Sequence, residues 1–227
     1  RSKMKRRFPV RLASPVLALL VAATAGAAAS AEPAAKAALP TIEAKTAGLE
    51  RLDGFLPLYW DAREGRLHLE IARFGVEMLH ASGFASGLGS NDIGLDRGAL
   101  AGSRIVVFER VGRKVLMVQP NYGFRASSTN PEEVRAVRDA FARSVLWGFE
   151  VEAETGGRVL VDATDWLLRD GLDLSPRLRP GRYELDASRS SVFRAGTFNF
   201  PRNTELEAEL TFVRRQAEGG PAGGAAP

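Results

Sequence analysis

Two β-branched and aliphatic runs, Arg104 to Arg110 and Lys114 to Gln119, flank the glycine-bearing turn Val111-Gly112-Arg113. That pattern is a β-hairpin, and it commits the middle of the chain to antiparallel sheet. An earlier hairpin has the same logic. Phe55 to Trp60 is apolar, Asp61 to Gly65 supplies a turn, and Arg66-Leu67-His68-Leu69-Glu70-Ile71 alternates, so that one face is buried. Phe149 to Glu154 and Arg158 to Ala163 form a further pair around Thr155-Gly156-Gly157, and strands are expected over Arg182 to Leu185, Ser191 to Phe193 and Thr204 to Phe212. One long helix is expected over about 131–147. Asn130 can cap it, Pro131 suits its first position, Glu132 and Glu133 favour its positive end, and Val134, Val137, Phe141 and Val145 recur at helical spacing before Gly148. A short helix is expected near 165–170. The fold class is therefore α+β and β-rich, with antiparallel sheets and hairpins.

The termini read differently from the body. Residues 1–31 hold six basic side chains and no acidic one, followed by an apolar stretch from Pro15 to Ala29 and the small-residue exit Ala29-Ser30-Ala31. This is the pattern of a secretory signal peptide, and its apolar part is shorter than the ~20 residues of a membrane span. An exported protein, periplasmic or extracellular, with no span left after cleavage before Glu32 is the expectation. Residues 32–47, rich in Ala, Lys and Pro, read as a linker, residues 48–215 as the folded domain, and residues 216–227 as a disordered Gly/Ala/Pro tail or a linker onward. Without residues 1–31, 25 basic residues face 27 acidic ones, so the body lacks the charge excess of a nucleic-acid binder. Zero cysteines exclude disulfides, a thiol nucleophile and thiolate metal ligands.

Candidate chemistry is sparse. His68 and His80 are the only imidazoles, and neither has the HExxH spacing that places two histidines on one helical face. Both are expected as surface or partly buried residues. Asp162 and Asp165 flank Ala163-Thr164 at a strand end, where Asp165 is expected to cap a helix and Asp162 to serve a turn. Ser86, Ser90 and Ser103 lie in no nucleophile-elbow context. No catalytic, metal or cofactor residue is therefore assigned. The loop from Gly87 to Gly98 is the most unusual segment, with Gly87, Gly89, Ser90, Asn91, Asp92, Gly94, Asp96, Arg97 and Gly98 in twelve residues. A self-bonded structural loop, a calcium loop without EF-hand spacing and a partner-facing loop are all open; the expectation is an interdomain or cleft-facing element.

Several blocks carry a resemblance: Gly54-Phe55-Leu56-Pro57-Leu58-Tyr59-Trp60-Asp61, the Gly87 to Gly98 loop, Val115 to Tyr122, Ser144 to Phe149, and Val161-Asp162-Ala163-Thr164-Asp165. Together with Asp186 to Ser190 and Phe200 to Thr204, they resemble the domain of unknown function that precedes the catalytic domain in large secreted bacterial zinc metalloproteases of the met-zincin type. The resemblance spans most of Thr41 to Phe212. It implies a non-catalytic N-terminal module whose partner in cis is a downstream protease domain, and zinc would belong to that domain. The HExxH helix does not occur in the chain, which accordingly reads as a fragment, and no catalytic residue of the family can be placed on it. The alternative is a self-sufficient periplasmic module that binds a peptide or glycan along an exposed sheet edge.

Overall fold

A computed structural model of the chain describes residues 38–87 and 93–215. The expected signal peptide and the tail from residue 216 lie outside these residues. Eight antiparallel strands form the main sheet: β1 Glu50–Leu52, β2 Leu58–Asp61, β3 Arg66–Ile71, β4 Met78–Gly83, β5 Leu100–Val111, β6 Lys114–Gln119, β7 Ser144–Thr155 and β8 Arg158–Asp162. Their order is β1-β2-β3-β8-β7-β6-β5-β4. The two twelve-residue strands curl it. β5 pairs with β4 through Leu100 to Val106 and with β6 through Val107 to Val111, while β7 pairs with β6 and then, from Val151, with β8. Register shifts at Ser82/Gly83, Met117/Val118 and Val151/Ala153 add local bends of the kind that bulges introduce.

The three expected hairpins, β2–β3, β5–β6 and β7–β8, are present. In the second, Val111 pairs with Lys114, so Gly112 and Arg113 alone make the turn, and Gly112 takes φ +60° at the position where a side chain would be strained. The inner face carries the main core, including Leu58, Leu67, Leu69, Ile71, Val115, Val159 and Val161. The outer face of the β2–β3–β8–β7 half is also covered, because α1 (Ile42–Lys45) buries Ile42 with Tyr59, Ala153 and Leu160. Residues 38–47 therefore belong to the folded body rather than to a linker. Thr41 caps α1 by accepting from the Ala44 N–H, and the backbone N–H of Ile42 donates to Thr155 Oγ1 at 2.9 Å. A single aliphatic residue in an Ala/Lys-rich stretch anchors the segment.

The long helix needs correction. α2 runs only from Pro131 to Ala140, with its predicted start, Asn130 accepting from the Glu132 N–H. Val145, Trp147 and Gly148 lie instead in β7, opposite Val118, Met117 and Leu116. Helical spacing at Phe141 and Val145 lost to pairing with the edge of β6, which satisfies backbone groups and sets Phe149 into the core. The second helix, α3, is one turn, Thr164–Leu167.

The C-terminal part adds three two-stranded pieces, β9 (Arg182–Leu185) with β14 (Phe212–Arg215), β10 (Ser191–Val192) with β13 (Ala208–Glu209), and β11 (Phe198–Phe200) with β12 (Asn203–Glu205). The expected strand from Thr204 to Phe212 is thus divided among three short ones. Asn199 ties this region to the sheet, its Nδ2 donating to the carbonyls of Leu52 and Leu56 at 2.8 Å each. Gly54 permits that approach: a Cβ there would lie 2.2 Å from Asn199 Oδ1. Among the described residues no helix is long and apolar enough to cross a membrane.

Candidate functional site

Strand alternation sends Met78, His80 and Ser82 of β4 to the inner face, opposite Val106, Arg104 and Gly102 of β5. Met78 and Val106 enter the core, but His80 and Arg104 lie beyond its end. There the strands meet α3, the turn that follows it, and the β12–β13 segment, enclosing a pocket of about 330 Å³. Its apolar wall includes Met117, Leu146, Leu167 and Leu206; its polar wall is His80, Arg104, Trp166 and Arg169. Among the described residues no carboxylate lines it.

The electrostatics of this pocket are one-sided. Arg169 lies between two indoles, 5.4 Å from the Trp147 ring centroid and 5.9 Å from that of Trp166. The His80 and Trp166 rings are 5.7 Å apart. Among the described residues, His80 Nδ1, Trp166 Nε1 and Arg169 Nε are buried with no hydrogen-bond partner in the protein. Burial, then Arg104 and Arg169, hold the His80 imidazole below its ordinary range, so it is neutral at pH 7. Burial and the neighbouring Arg104 likewise pull the Arg169 guanidinium down, although it remains charged. Buried donors and uncompensated cations facing one cavity can bind and orient an anionic group.

A second cluster sits on the opposite face. His68 is buried rather than at the surface, and its Nδ1 is 2.9 Å from Glu152 Oε2. The contact is short but poorly aligned, because neither atom makes a hydrogen bond of good geometry. With Asp162 these groups could place three ligand atoms within 4.8 Å of one another. The charges are already balanced, however. Arg66 binds Asp162, and Lys45 lies 3.8 Å from Glu152. The His68 contact, outweighing desolvation, holds the Glu152 carboxyl below its usual range. Burial pushes Asp162 up, but hydrogen bonds from Thr164 and Arg66 outweigh it and lower the carboxyl. The cluster is a compensated ion network that joins β3, β7 and β8.

Asp162, not Asp165, caps the turn into α3, accepting from the Thr164 N–H at 2.8 Å. Asp165 stands within the first turn and makes no cap. Of the glycine-rich loop, Gly89, Ser90, Asn91 and Asp92 lie outside the described residues. Gly87 passes so close to the returning chain that a Cβ would lie 2.8 Å from the Arg97 nitrogen. Gly94 and Gly98 take φ +66° and +80°, Leu95 is buried, and Arg177 donates to the Gly94 carbonyl at 3.1 Å. Asp96 accepts, through its carbonyl, from the Ala99 N–H. Ser103 lies on the outer face beside Leu79, on the opposite side of the sheet from His80. Sequence reasoning missed Arg104, Trp166 and Arg169 altogether. They come from two distant segments, and no spacing links them.

No curated protein and no solved structure matches the chain. One protein family, described as a domain of unknown function, DUF5117, matches residues 98–225. That region contains three of the four polar pocket residues and more than half of the chain. The chain belongs to the DUF5117 family.

Proposed function

We propose that the chain is a non-catalytic, β-rich module of an exported zinc-dependent metalloprotease, and that it works by packing its outer face against that enzyme's catalytic domain. The resemblance described above supports the link to the protease. The observation that carries the docking role is α2, a ten-residue amphipathic helix that buries none of its residues. Its Val134 is exposed, and Phe141, just past its end, stacks on Phe124 with ring centroids 3.9 Å apart, both rings open to solvent. Beside them a groove of about 620 Å³ has Leu79, Ile105, Pro120 and Tyr122 among polar neighbours such as Arg104, Gln119 and Asn121, with exposed Val145 adjoining it. An amphipathic helix with no buried residue, next to exposed Leu79, Phe124, Phe141 and Val145 around a groove of mixed lining, marks a surface that another domain covers. Zinc and peptide cleavage belong, in this reading, to the neighbouring domain, and the signal pattern of residues 1–31 supports export.

Mixing the chain with a separately produced catalytic domain of such a protease tests the reading. A complex on size-exclusion chromatography, lost in the Leu79→Asp/Phe141→Asp variant, is expected. Absence of any complex, or zinc-dependent peptidase activity of the chain alone, would overturn it. The second reading, a self-sufficient binding module, is favoured by one observation, the cationic pocket next to β4, which ends the strand order of the sheet.

A further inference from the structure

The inner-face pocket carries an inference that rests on residues other than those of the docking role, save Arg104, which borders both the pocket and the outer groove. We infer that this pocket binds the carboxylate of an amphipathic ligand, its anionic end held by Arg104, Arg169 and the Trp166 indole N–H and its apolar body seated on Met117, Leu146 and Leu206.

Three observations converge on that chemistry. The first is satisfaction: Trp166 Nε1 and Arg169 Nε are donors buried without a protein partner, and the two side chains that carry them both line the same cavity, so that a small rotation of either brings its donor to a ligand there. Buried donors without acceptors are uncommon in native structures, and one acceptor with two oxygens would answer both. The second is charge. Burial first, and then Arg104 and Arg169, lower the His80 imidazole, burial and then Arg104 lower Arg169, and among the described residues no carboxylate lines the pocket to offset the two guanidinium groups. A bound anion removes that mutual repulsion. The third is the wall. Phosphate or sulfate alone would leave the half-buried Leu146 and Leu206 side chains facing water, whereas an apolar body covers them. Packing of Arg169 against Trp147 and Trp166 keeps its planar fork in place before the ligand arrives.

The same chemistry is offered by the C-terminus of a peptide and by a small organic acid, and titrations of the whole chain separate the two. The probes are N-acetyl-leucine, N-acetyl-leucinamide, a tetrapeptide ending in leucine, octanoate and inorganic phosphate, followed by indole fluorescence and calorimetry. N-acetyl-leucine or octanoate is expected to saturate, with the amide and phosphate at least about tenfold weaker, the loss that a missing charge-assisted hydrogen bond implies. Tighter binding of the tetrapeptide than of octanoate assigns a peptide terminus; the reverse assigns a small acid. Arg104→Met, at an exposed position, is expected to weaken binding severalfold or more without lowering the melting temperature, and Trp166→Phe, which keeps an aromatic ring but removes the indole N–H with part of the indole, to weaken binding severalfold or more while the chain remains folded. Equal binding of amide and acid, equal binding of phosphate, no saturation by any carboxylate up to about 10 mM, or unchanged affinity in both folded variants would overturn the inference. Arg104 borders the outer groove as well, but Trp166 and the ligand titrations concern the inner pocket alone, so the two readings fail separately.

Discussion

Leu79→Ser separates a surface that is open in the isolated chain from one that is covered by the fold. Leu79 stands opposite Ile105 in the β4–β5 pair and is 70% exposed. Full burial of a leucine side chain contributes about 1.5–3 kcal/mol, so the covered third contributes about 0.5–1 kcal/mol. Loss of the cross-strand contact with Ile105 falls within the same range. Urea denaturation of the isolated chain should therefore show a loss of about 1 kcal/mol or less, with an unchanged m-value. Leu67→Ala, at a fully buried position of β3, should by contrast cost about 2–5 kcal/mol. Docking of the catalytic domain buries the remaining surface of Leu79, about 1–2 kcal/mol, which corresponds to roughly 5- to 30-fold in affinity. Calorimetry on the same two proteins reads that change. A loss above about 2 kcal/mol in the isolated Leu79→Ser chain, or undiminished affinity for the catalytic domain, would refute the assignment of an open docking face.

Three further outcomes follow from the polar contacts. Arg158 joins the buried Glu70 carboxylate, which also accepts from the Tyr59 hydroxyl at 2.8 Å, to Glu43 on α1. Arg158→Met should cost about 2 kcal/mol, less than a fully buried pair because water reaches the guanidinium side, while Glu43→Gln barely changes the urea midpoint. Gly54→Ala should displace Asn199 and cost about 1–3 kcal/mol, and most of that cost should vanish in an Asn199→Ala background if the clash is the cause. His80, held below its ordinary range, binds a proton more readily in the unfolded chain; its stabilising contribution is whole above about pH 6.5 and declines as the pH falls below that value. Melting curves of wild type and His80→Phe should converge toward acid, and parallel curves between pH 7 and 5 would contradict this.

The fold was legible where local pattern and tertiary environment agree. The Val111–Lys114 turn, the β2–β3 hairpin and the start of α2 follow from turn chemistry, alternation and a cap. The end of α2 was not legible, because Val145 continues the helical spacing of Val137 and Phe141 and equally begins a strand alternation with Trp147 until β6 offers its edge. His68 was misplaced for a related reason. Its polar alternation pointed outward, but α1 and the ions of Arg66 and Lys45 cover that face, so a position facing outward is also buried. The pocket was out of reach. Arg104 reads as one more polar residue of a strand, Trp166 and Arg169 read as part of a short helix, and only the curl of the sheet brings them to one cavity. Nothing in their spacing encodes the absence of a carboxylate beside them.

Amide hydrogen exchange of the chain with and without the catalytic domain of a met-zincin protease tests the docking claim most directly. The account predicts new protection confined to β4, the segment from Pro120 to Phe124, α2 and the start of β7, with β1 to β3 unchanged. Protection centred on β1 to β3 or on the C-terminal β9–β14 pieces, or none at saturating catalytic domain, would contradict it.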